Sequence, residues 1–463
     1  MPICKDLIRL KKASLHPPPA LDTGGDIIPW ALLEYKAYVA DRRNDTTAVA
    51  ESRCGREIQV SFFAARPPRV SYLCVFCRPA ATEEHQDEEE VEMIPMEPQV
   101  VATDENLILL RIVVSPEKDI IGGNDLYVYR PAGDDGPSLT RLPRPPRGTI
   151  FNSNQVGILS CCPDDRSTGL SLLRPHRAPQ DEFHMVAALC NDNDWLAIGR
   201  GRFILHVYNS KLKTWTATKV SVEDQHFQKY QDQGYFVHQN TRVLAVGGED
   251  ATIAFVDLWQ GILFCDLAHV KDKPWLSYVP LPGTPSGSPL SDDACLTLDI
   301  AVVNGHFKFV RHQLQWKNCP TCYRNEYMED GWMASIWTRP VSASSLLDDS
   351  WQLVCDMESS GMDVKSTPDF ELLPKLVASE PFQMLDVSHP TLISHTDDGT
   401  VCFMVKINRG DAEAWVIAVD TVNNRLQGLA EFDATRYTRT AFSYLHTRIS
   451  KYLKKRAPGN SAY

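Results

Sequence analysis

Short apolar runs alternate with polar turns along most of the chain. The clearest succession lies within residues 252–282, where apolar runs at 253–256 and 262–267 are joined by the turn Asp257-Leu258-Trp259-Gln260-Gly261. Runs of this length bounded by turn residues are typical of β-strands. Asn304-Gly305 lies between two further runs, and this dipeptide supplies the positive φ angles of a two-residue hairpin turn. The pattern predicts a mainly β protein.

A degenerate repeat links these runs. In each copy an apolar run ends in Val-Tyr or Val-Asp, a polar turn follows, and Trp or Leu stands near the start of the next run. The copies are Val207-Tyr208 with Trp215, Val256-Asp257 with Trp259, Val419-Asp420 with Leu426 and, more weakly, Val128-Tyr129 with Leu139 and Trp337 with Trp351. Val207 and Val256 are 49 residues apart, and propeller blades repeat every ~40 to 50 residues. We therefore predict a β-propeller-like domain of degenerate repeats, with paired β-sandwiches as the alternative.

The two ends of the chain differ from this repetitive body. Residues 1–25 are basic and carry no strand signal, which predicts a flexible leader. Residues 26–435 hold the strand-like runs and form a single predicted propeller-like domain around the core at 252–282. In residues 436–463, four apolar side chains recur at steps of three and four, which predicts a short C-terminal helix with a basic tail. These side chains are Phe442, Leu445, Ile449 and Leu453.

The strand pattern leads to three further structural expectations. Residues 27–39 and 414–419 are strand-like runs near the two ends of the domain, and pairing them would remove two exposed sheet edges. Trp259 is a large aromatic residue in the central turn, and we expect it to be buried. Cys74 and Cys77 lie in an apolar run, where strand alternation would point their sulfurs to opposite faces, so we expect core positions rather than a chelating pair.

Composition changes this picture in three respects. The 463 residues are 43% hydrophobic and carry a net charge of −12, so the chain can bury a core but has no general attraction for nucleic acid or anionic membranes. No apolar run reaches the ~18 to 20 residues that span a bilayer, and we expect no membrane partner. Thirteen cysteines without regular spacing, and no secretion signal, indicate reduced thiols and an intracellular protein of the cytoplasm or the nucleus.

Motifs that carry chemistry are scarce. The sequence lacks the P-loop, H-E-x-x-H and G-x-S-x-G patterns, so we assign no catalytic residue, no cofactor-binding residue and no cofactor. One constellation is compatible with zinc, because two imidazoles and two thiolates form a tetrahedral set. Its members are His306, His312, Cys319 and Cys322. Their spacing matches no common zinc module, so we interpret them as hairpin histidines and loop cysteines and expect no bound zinc.

A group of motifs is specific enough for comparison with known families. The central motif is Val256-Asp257-Leu258-Trp259-Gln260-Gly261-Ile262-Leu263 with Cys265-Asp266, closed by Tyr278-Val279-Pro280-Leu281-Pro282. The flanking motifs are Ala65-Arg66-Pro67-Pro68-Arg69-Val70-Ser71, Asp125-Leu126-Tyr127-Val128-Tyr129, Gly331-Trp332 and Ile336-Trp337-Thr338-Arg339. Together they resemble a plant family, expanded in grasses, that is catalogued as domain of unknown function 1618. The family has no established activity, so the resemblance implies no catalytic residue. Some relatives carry an N-terminal F-box, for which 25 residues are too few.

These features favour binding over catalysis. An acidic β domain with long loops and no catalytic motif predicts a non-enzymatic scaffold for protein–protein interaction, with its partner bound where the loops cluster. The alternative from the enzyme class is a propeller-type hydrolase or lyase with carboxylates and histidines in a central channel. A weaker alternative is nucleic-acid binding through the basic tail, whose cations are Arg448, Lys451, Lys454, Lys455 and Arg456.

Overall fold

The computed structural model of the chain describes most of its 463 residues. The described residues are 10–20, 28–78, 93–115, 124–133, 135–146, 149–161, 183–192, 201–222, 238–248, 250–282, 294–318, 327–341, 351–364, 367, 372, 382–393, 399–436 and 442–453. This part of the chain consists of 26 β-strands joined by turns and short 3₁₀ helices. It contains no helix with the length and apolar character needed to cross a membrane.

Strands β6 to β25 form five four-stranded antiparallel meanders, which we call blades. Blade 2 consists of β6 (Gln99–Asp104), β7 (Leu107–Val113), β8 (Asn124–Arg130) and β9 (Ser138–Arg141). Blade 3 consists of β10 (Val156–Cys161), β11 (Phe183–Asn191), β12 (Arg202–Asn209) and β13 (Thr214–Val222). Blade 4 consists of β14 (Arg242–Gly247), β15 (Thr252–Asp257), β16 (Gly261–Asp266) and β17 (Trp275–Pro280).

Blades 5 and 6 repeat the same order of strands. Blade 5 consists of β18 (Leu298–Val303), β19 (His306–Asn318), β20 (Tyr327–Pro340) and β21 (Gln352–Glu358). Blade 6 consists of β22 (Asp386–Leu392), β23 (Thr400–Lys406), β24 (Glu413–Asp420) and β25 (Arg425–Asp433). In blades 2 to 6 strands that follow one another in the chain are neighbours in the sheet, and the outermost strands β13 and β17 join blades 3 and 4 by a short parallel contact.

Blade 1 joins the two ends of the described chain. It contains β1 (Ala31–Glu34), β2 (Tyr38–Val39), β3 (Ala48–Glu51), β4 (Glu57–Phe63), β5 (Val70–Cys77) and, as its innermost strand, β26 (Tyr444–Thr447). Strand β26 pairs antiparallel with the whole of β1. Arg436 reinforces this closure, because its guanidinium lies 2.5 Å from the Glu34 carboxylate and 3.6 Å from the centre of the Tyr38 ring.

Hydrophobic clusters fill the six wedges between neighbouring blades. Each cluster combines buried side chains of two consecutive blades, because strand side chains alternate between the two faces of a sheet. Representative pairs, from blades 1 and 2 round to blades 6 and 1, are Val60 and Leu110, Leu109 and Ile158, Leu205 and Phe255, Val256 and Phe309, Val310 and Phe403, and Cys402 and Leu32. The clusters return to blade 1, so the blades form a closed ring. The mainly β, propeller-like fold is confirmed, and the paired sandwiches are not observed.

The hairpin between β18 and β19 has the turn that the sequence predicts. Asn304 and Gly305 have φ angles of 47° and 75°, and the two strands pair as far as Val303 and His306. Positive φ at both central residues gives the turn a twist that matches the flanking strands. This prediction is confirmed.

The sequence repeat marks blade turns, with one copy out of phase. Four copies lie where the third strand of a blade, β8, β12, β20 or β24, leads into the fourth. Val256-Asp257 instead ends the second strand of blade 4, so the 49 residues between Val207 and Val256 are not the period of the blades. Trp259 is only half-buried, whereas its neighbour Leu258 is fully buried. The expectation that Trp259 is a buried residue is therefore wrong.

Two predictions for the C-terminal part are also wrong. Residues 414–419 belong to β24, which pairs with β23 and β25 inside blade 6, and β26 takes the place beside the N-terminal strand. The predicted C-terminal helix is replaced by β26 and a 3₁₀ turn at Ile449–Tyr452. Tyr444 packs between blades 6 and 1 and Leu445 between blades 1 and 2. Successive side chains on opposite faces require a strand, which β1 stabilises by pairing.

The predicted leader contains one local element. Lys12–Leu15 form a 3₁₀ helix in which Ser14 is buried and donates a hydrogen bond to Glu97. The contact ties residues 12–15 to the segment just before β6. Residues 1–9 of the leader and 454–463 of the tail lie outside the described part of the chain.

Candidate functional site

The inner strands of the six blades enclose a cavity along the propeller axis. Its volume is ≈ 1200 Å³, and residues of β6, β10, β14, β18, β22 and β26 all line it. The turns that follow β6, β14, β18 and β26 also line the cavity, and we call this region its turn end. These turns contribute Glu105, Asn106, Gly248, Asp250, Asn304, Gly305, Arg448, Lys451 and Tyr452. The cavity is larger than the ~300 to 1,000 Å³ of most small-molecule sites.

A buried ion pair beside the cavity joins three inner strands. Asp299 on β18 is only 1% exposed. Its carboxylate accepts hydrogen bonds from the guanidinium of Arg242 on β14 and, at 2.9 Å, from the backbone N–H of Leu392 on β22. Burial raises the pKa of Asp299, although the positive charge of Arg242 opposes this shift. Because both carboxylate oxygens have protein donors, Asp299 holds blades 4, 5 and 6 together.

A second carboxylate, Glu105, fastens the C-terminal turn to blade 2. Glu105 lies in the turn between β6 and β7 with a φ of 50°. Its carboxylate lies 2.8 Å from the Arg448 guanidinium and 3.2 Å from the Lys451 ammonium, and it accepts a hydrogen bond from the Tyr452 hydroxyl. Burial alone would raise the pKa of Glu105, but the Tyr452 hydrogen bond and the two cations outweigh it and lower this pKa. Glu105 is therefore ionised at neutral pH and is a poor proton donor.

A shelf of polar and aromatic side chains extends from the turn end across blade 4. Thr252 on β15 lies opposite Asp266 on β16, and its hydroxyl donates to Asp266 Oδ1 at 2.6 Å. Phe264 and Ser277 form the last pair between β16 and β17, so Asp266 at the end of β16 and Trp275 at the start of β17 lie at the same end of the blade. Trp275 is 53% exposed and lines the cavity. We call Thr252, Asp266 and Trp275 the Trp275 shelf.

A histidine and a carboxylate meet beside this shelf. Nδ1 of His269 lies 3.2 Å from Oδ1 of Asp250, and the two side chains are 51% and 56% exposed. An imidazole held in this way through Nδ1 has Nε2 left to exchange a proton, which is what a general base requires. Lys273 lines the same part of the cavity and is exposed. Both side chains of the His269–Asp250 contact are more than half exposed to water, so the contact is weak.

The structure keeps the two histidine zinc candidates apart. His306 and His312 stand six residues apart on β19, which separates them by about 20 Å along a strand. His306 is exposed, and its Nδ1 lies 3.0 Å from the Asn304 carbonyl oxygen. His312 is buried, and burial lowers its pKa to about 4. Cys319 and Cys322 lie outside the described residues, among which no group of three or more His, Cys, Asp or Glu could hold a metal ion.

Cys74 and Cys77 occupy the core positions that the sequence predicts. Cys74 packs in a small cluster with Phe63 and Tyr72, and Cys77 packs between blades 1 and 2. Burial raises the pKa of each thiol to about 12. A buried, protonated thiol is a poor metal ligand and a poor nucleophile, so this pair serves packing.

Two of the five cations in the predicted basic tail already have a partner. Arg448 and Lys451 are bound to Glu105 inside the turn end. The compact group Lys454-Lys455-Arg456 lies outside the described residues. Arg448 and Lys451 therefore serve the closure of the ring, whereas the sequence pattern offered them as cations for nucleic-acid binding.

The Trp275 shelf carries a signal that the sequence pattern left unused. Copies of the repeat place Trp215 and Trp351 at or next to the start of the fourth strand in blades 3 and 5. The residue at this place in blade 4 is Trp275, not Trp259. Asp266 and Trp275 are separated by eight residues of loop, so only the pairing of β16 with β17 places them at the same end of the blade.

Comparison with protein families identifies one segment of the chain. Residues 255–402 match the model of the family described as protein of unknown function DUF1618. The predicted family is confirmed over this segment. The DUF1618 segment runs from β15 in blade 4 to β23 in blade 6 and includes Asp266, His269 and Trp275.

Three solved structures that resemble the chain share little of its sequence. A member of the DUF4221 family from Bacteroides vulgatus is 10% identical, with 72% of this chain and 80% of that chain covered and a TM-score of 0.31. Hydrazine synthase from Kuenenia stuttgartiensis is 9% identical, with 92% and 83% covered and a TM-score of 0.32. The WD40 domain of SCAP from fission yeast is 11% identical, with 83% and 75% covered and a TM-score of 0.28. Similarity at this level carries no argument about function. No curated protein matches the chain.

Proposed function

We propose that this chain is a non-enzymatic binding protein that receives a segment of a partner protein at the turn end of its axial cavity. The observation that carries the proposal is the cavity itself, which measures ≈ 1200 Å³ and is lined by the inner strands of all six blades. This volume suits a loop or a peptide better than a small metabolite. The closed ring holds the cavity walls in place before binding, which reduces the entropy lost when a partner is ordered.

Three carboxylates at or beside the cavity are engaged by the protein's own donors, which supports binding rather than acid–base catalysis by these groups. Asp104 accepts the backbone N–H of Ser160 at 2.7 Å, and Glu105 and Asp299 are bound to cations of the protein. A catalytic acid needs a proton at working pH and a catalytic base needs a free oxygen near its substrate. Glu105 is ionised, and Asp299 is enclosed by its donors, so neither meets these requirements.

An experiment that fills the cavity tests the proposal. Thr103 on β6 lines the cavity and is half-buried, so Thr103→Trp would occupy part of the turn end. Leu212 is 67% exposed on the outer turn of blade 3, so Leu212→Trp adds the same side chain outside the cavity. We expect affinity purification with mass spectrometry to recover proteins with wild type and Leu212→Trp that are lost with Thr103→Trp. Thermal unfolding checks that both variants fold, and full retention by folded Thr103→Trp would contradict the proposal.

A hydrolase or lyase is the second candidate, favoured by one observation. His269 and Asp250 are 3.2 Å apart at the turn end, and this is the pairing that orients a catalytic imidazole. A panel of chromogenic esters and glycosides tests this candidate with wild type and His269→Gln. Turnover by wild type that His269→Gln abolishes would replace the non-enzymatic proposal, whereas we expect no turnover above the buffer rate from either protein.

We also propose that the ring of blades is a single domain of an intracellular protein. The wedge cluster between blades 6 and 1 and the pairing of β1 with β26 support the single domain. The nine described cysteines are all free thiols, which supports a reducing compartment such as the cytoplasm or the nucleus. Nucleic-acid binding through the tail gains no support from Arg448 and Lys451, because Glu105 already neutralises part of their charge.

A further inference from the structure

Trp275 differs from the tryptophans at the equivalent place in the two flanking blades. Trp215 and Trp351 each donate the indole N–H to a proline carbonyl oxygen of the preceding blade, to Pro143 at 2.7 Å and to Pro280 at 2.8 Å. Trp275 begins the fourth strand of blade 4, but it is 53% exposed and lies on the shelf. Packing between blades therefore explains Trp215 and Trp351 but not Trp275, which is exposed and lines the cavity.

A carboxylate that lines the same cavity, that of Asp266, has binding capacity to spare. Asp266 is exposed, and one of its oxygens, Oδ1, accepts the Thr252 hydroxyl. A carboxylate has about four lone-pair sites, so Asp266 can accept further donors from a ligand. The face of an indole attracts cations through its quadrupole, and an ionised carboxylate forms strong hydrogen bonds with them. Trp275 and Asp266 together offer both interactions at the same end of blade 4, where both residues line the cavity.

We infer that the Trp275 shelf binds an arginine side chain of a partner segment, an inference that rests on the proposed function and names the chemistry of its ligand. Arginine fits better than lysine because a planar guanidinium can stack on the Trp275 indole while it donates hydrogen bonds to Asp266. The net charge of −12 also attracts a basic segment over a longer range. The occupant is thus a basic, arginine-bearing segment of another protein.

The charge of Lys273 makes the inference testable, because its removal should strengthen the binding of a cation and weaken the binding of an anion. Lys273 is exposed and lines the cavity two residues before Trp275. It repels a cationic ligand and attracts an anionic one. Lys273→Met should therefore strengthen the binding of an arginine peptide, whereas the same substitution would weaken the binding of a phosphate or carboxylate ligand.

The test uses isothermal titration of the full chain with a soluble peptide of alternating arginine and glycine at physiological ionic strength. We expect Trp275→Ala and Asp266→Asn each to weaken binding about two- to five-fold and Lys273→Met to strengthen it about two-fold. The matched controls are Trp316→Ala, which removes a tryptophan that is 58% exposed on β19, and Asp272→Asn, which removes an exposed carboxylate of the neighbouring loop. Both controls should bind the peptide as wild type does.

Three outcomes would overturn the inference. Equal weakening by Asp266→Asn and Asp272→Asn, with no effect of Trp275→Ala, would show only general attraction between a basic peptide and an acidic protein. Unchanged or weaker peptide binding by Lys273→Met would show that the arginine side chains do not bind beside Lys273. If Thr103→Trp loses the cellular partners while Trp275→Ala leaves peptide binding unchanged, the shelf is rejected and the cavity proposal stands. If Trp275→Ala and Asp266→Asn weaken peptide binding while Thr103→Trp retains the cellular partners, the cavity proposal is rejected instead.

Discussion

Two carboxylates near the propeller axis hold the ring together, one buried and the other partly exposed to water. Asp299 is 1% exposed and is enclosed by Arg242 and the N–H of Leu392, which come from two other blades. The Glu105 side chain is 21% exposed and binds three donors of the C-terminal turn. Burial raises the pKa of Asp299 despite its cation, whereas the three donors lower the pKa of Glu105 despite its burial.

The Asp299 pair is a contact that the ring requires, whereas the Glu105 cluster adjusts how firmly the ring closes. A charge left alone in a protein interior costs several kcal/mol, so each partner of a buried pair depends on the other. Water reaches the Glu105 cluster and screens it, so each of its contacts contributes about 1 kcal/mol or less. We expect Asp299 to control whether blades 4, 5 and 6 assemble, and Glu105 to control how firmly the C-terminal turn is attached.

The largest effect is expected for Asp299→Ala. The substitution leaves the Arg242 guanidinium without its carboxylate and the Leu392 N–H without an acceptor. The free energy of unfolding should fall by about 3 to 5 kcal/mol, measured by urea unfolding followed through tryptophan fluorescence. The control is Asp299→Leu combined with Arg242→Met, which removes both charges and should recover a large part of the loss. A single variant as stable as wild type would erase the distinction between the two carboxylates.

The closure that these pairs stabilise shows where sequence patterns stop being informative. The hairpin at Asn304-Gly305 could be predicted because its signal is local, two residues with positive φ between two apolar runs. The pairing of β1 with β26 could not, because the partner of Ala31–Glu34 lies more than 400 residues away and spans only Tyr444–Thr447. A four-residue strand next to a 3₁₀ turn has the same apolar spacing as a helix, so periodicity alone selected the wrong element.

Asp257 is a buried carboxylate that, in the described structure, has only backbone donors. It is 3% exposed and accepts the N–H groups of Gln239 at 2.8 Å and Trp259 at 3.0 Å. Burial raises its pKa from 3.8 to about 6, although these donors oppose the shift. Between these two values the folded state binds more protons than the unfolded state, so the contribution of Asp257 to stability is lost as pH rises through this range.

Asp257→Asn removes this titration and should change the pH dependence of stability. Relative to the variant, wild type should lose about 3 kcal/mol of unfolding free energy between about pH 4 and about pH 7, at 1.36 kcal/mol per pKa unit. Urea unfolding of both proteins across this range measures the difference. A difference that stays constant with pH would mean that Asp257 does not titrate there, and that backbone donors stabilise the carboxylate as well as a cation does.

The candidate site was harder to predict than the fold because it depends on register. The repeat identified tryptophans near blade turns, but in blade 4 it selected Trp259 instead of Trp275 as the tryptophan that begins the fourth strand. The reason is that Val256-Asp257 has the sequence of a third-strand end, although it ends the second strand. The spacing of His306 and His312 suggested a shared metal, yet both lie on one straight strand and are about 20 Å apart. Sequence separation measures distance along the chain, whereas a site needs neighbours across strands.

The smallest effect is expected for Glu105→Gln, which retains the side-chain length and the left-handed turn but removes the charge. The free energy of unfolding should fall by about 1 to 2 kcal/mol at neutral pH, because Arg448 and Lys451 are themselves about a third exposed and their charges are screened. The pKa of Glu105 is lowered from 4.5, so the advantage of wild type is present above this value and is lost as pH falls through the folded pKa. Urea unfolding should show wild type and Glu105→Gln converging in acid, which is the opposite trend to the pair of wild type and Asp257→Asn.

High salt should also reduce the advantage of wild type over Glu105→Gln more than its advantage over Asp299→Ala. If the Glu105 advantage persisted undiminished in acid and in salt, the cluster would behave as a dry ion pair, and the C-terminal turn would be as much a part of the ring as the Asp299 joint.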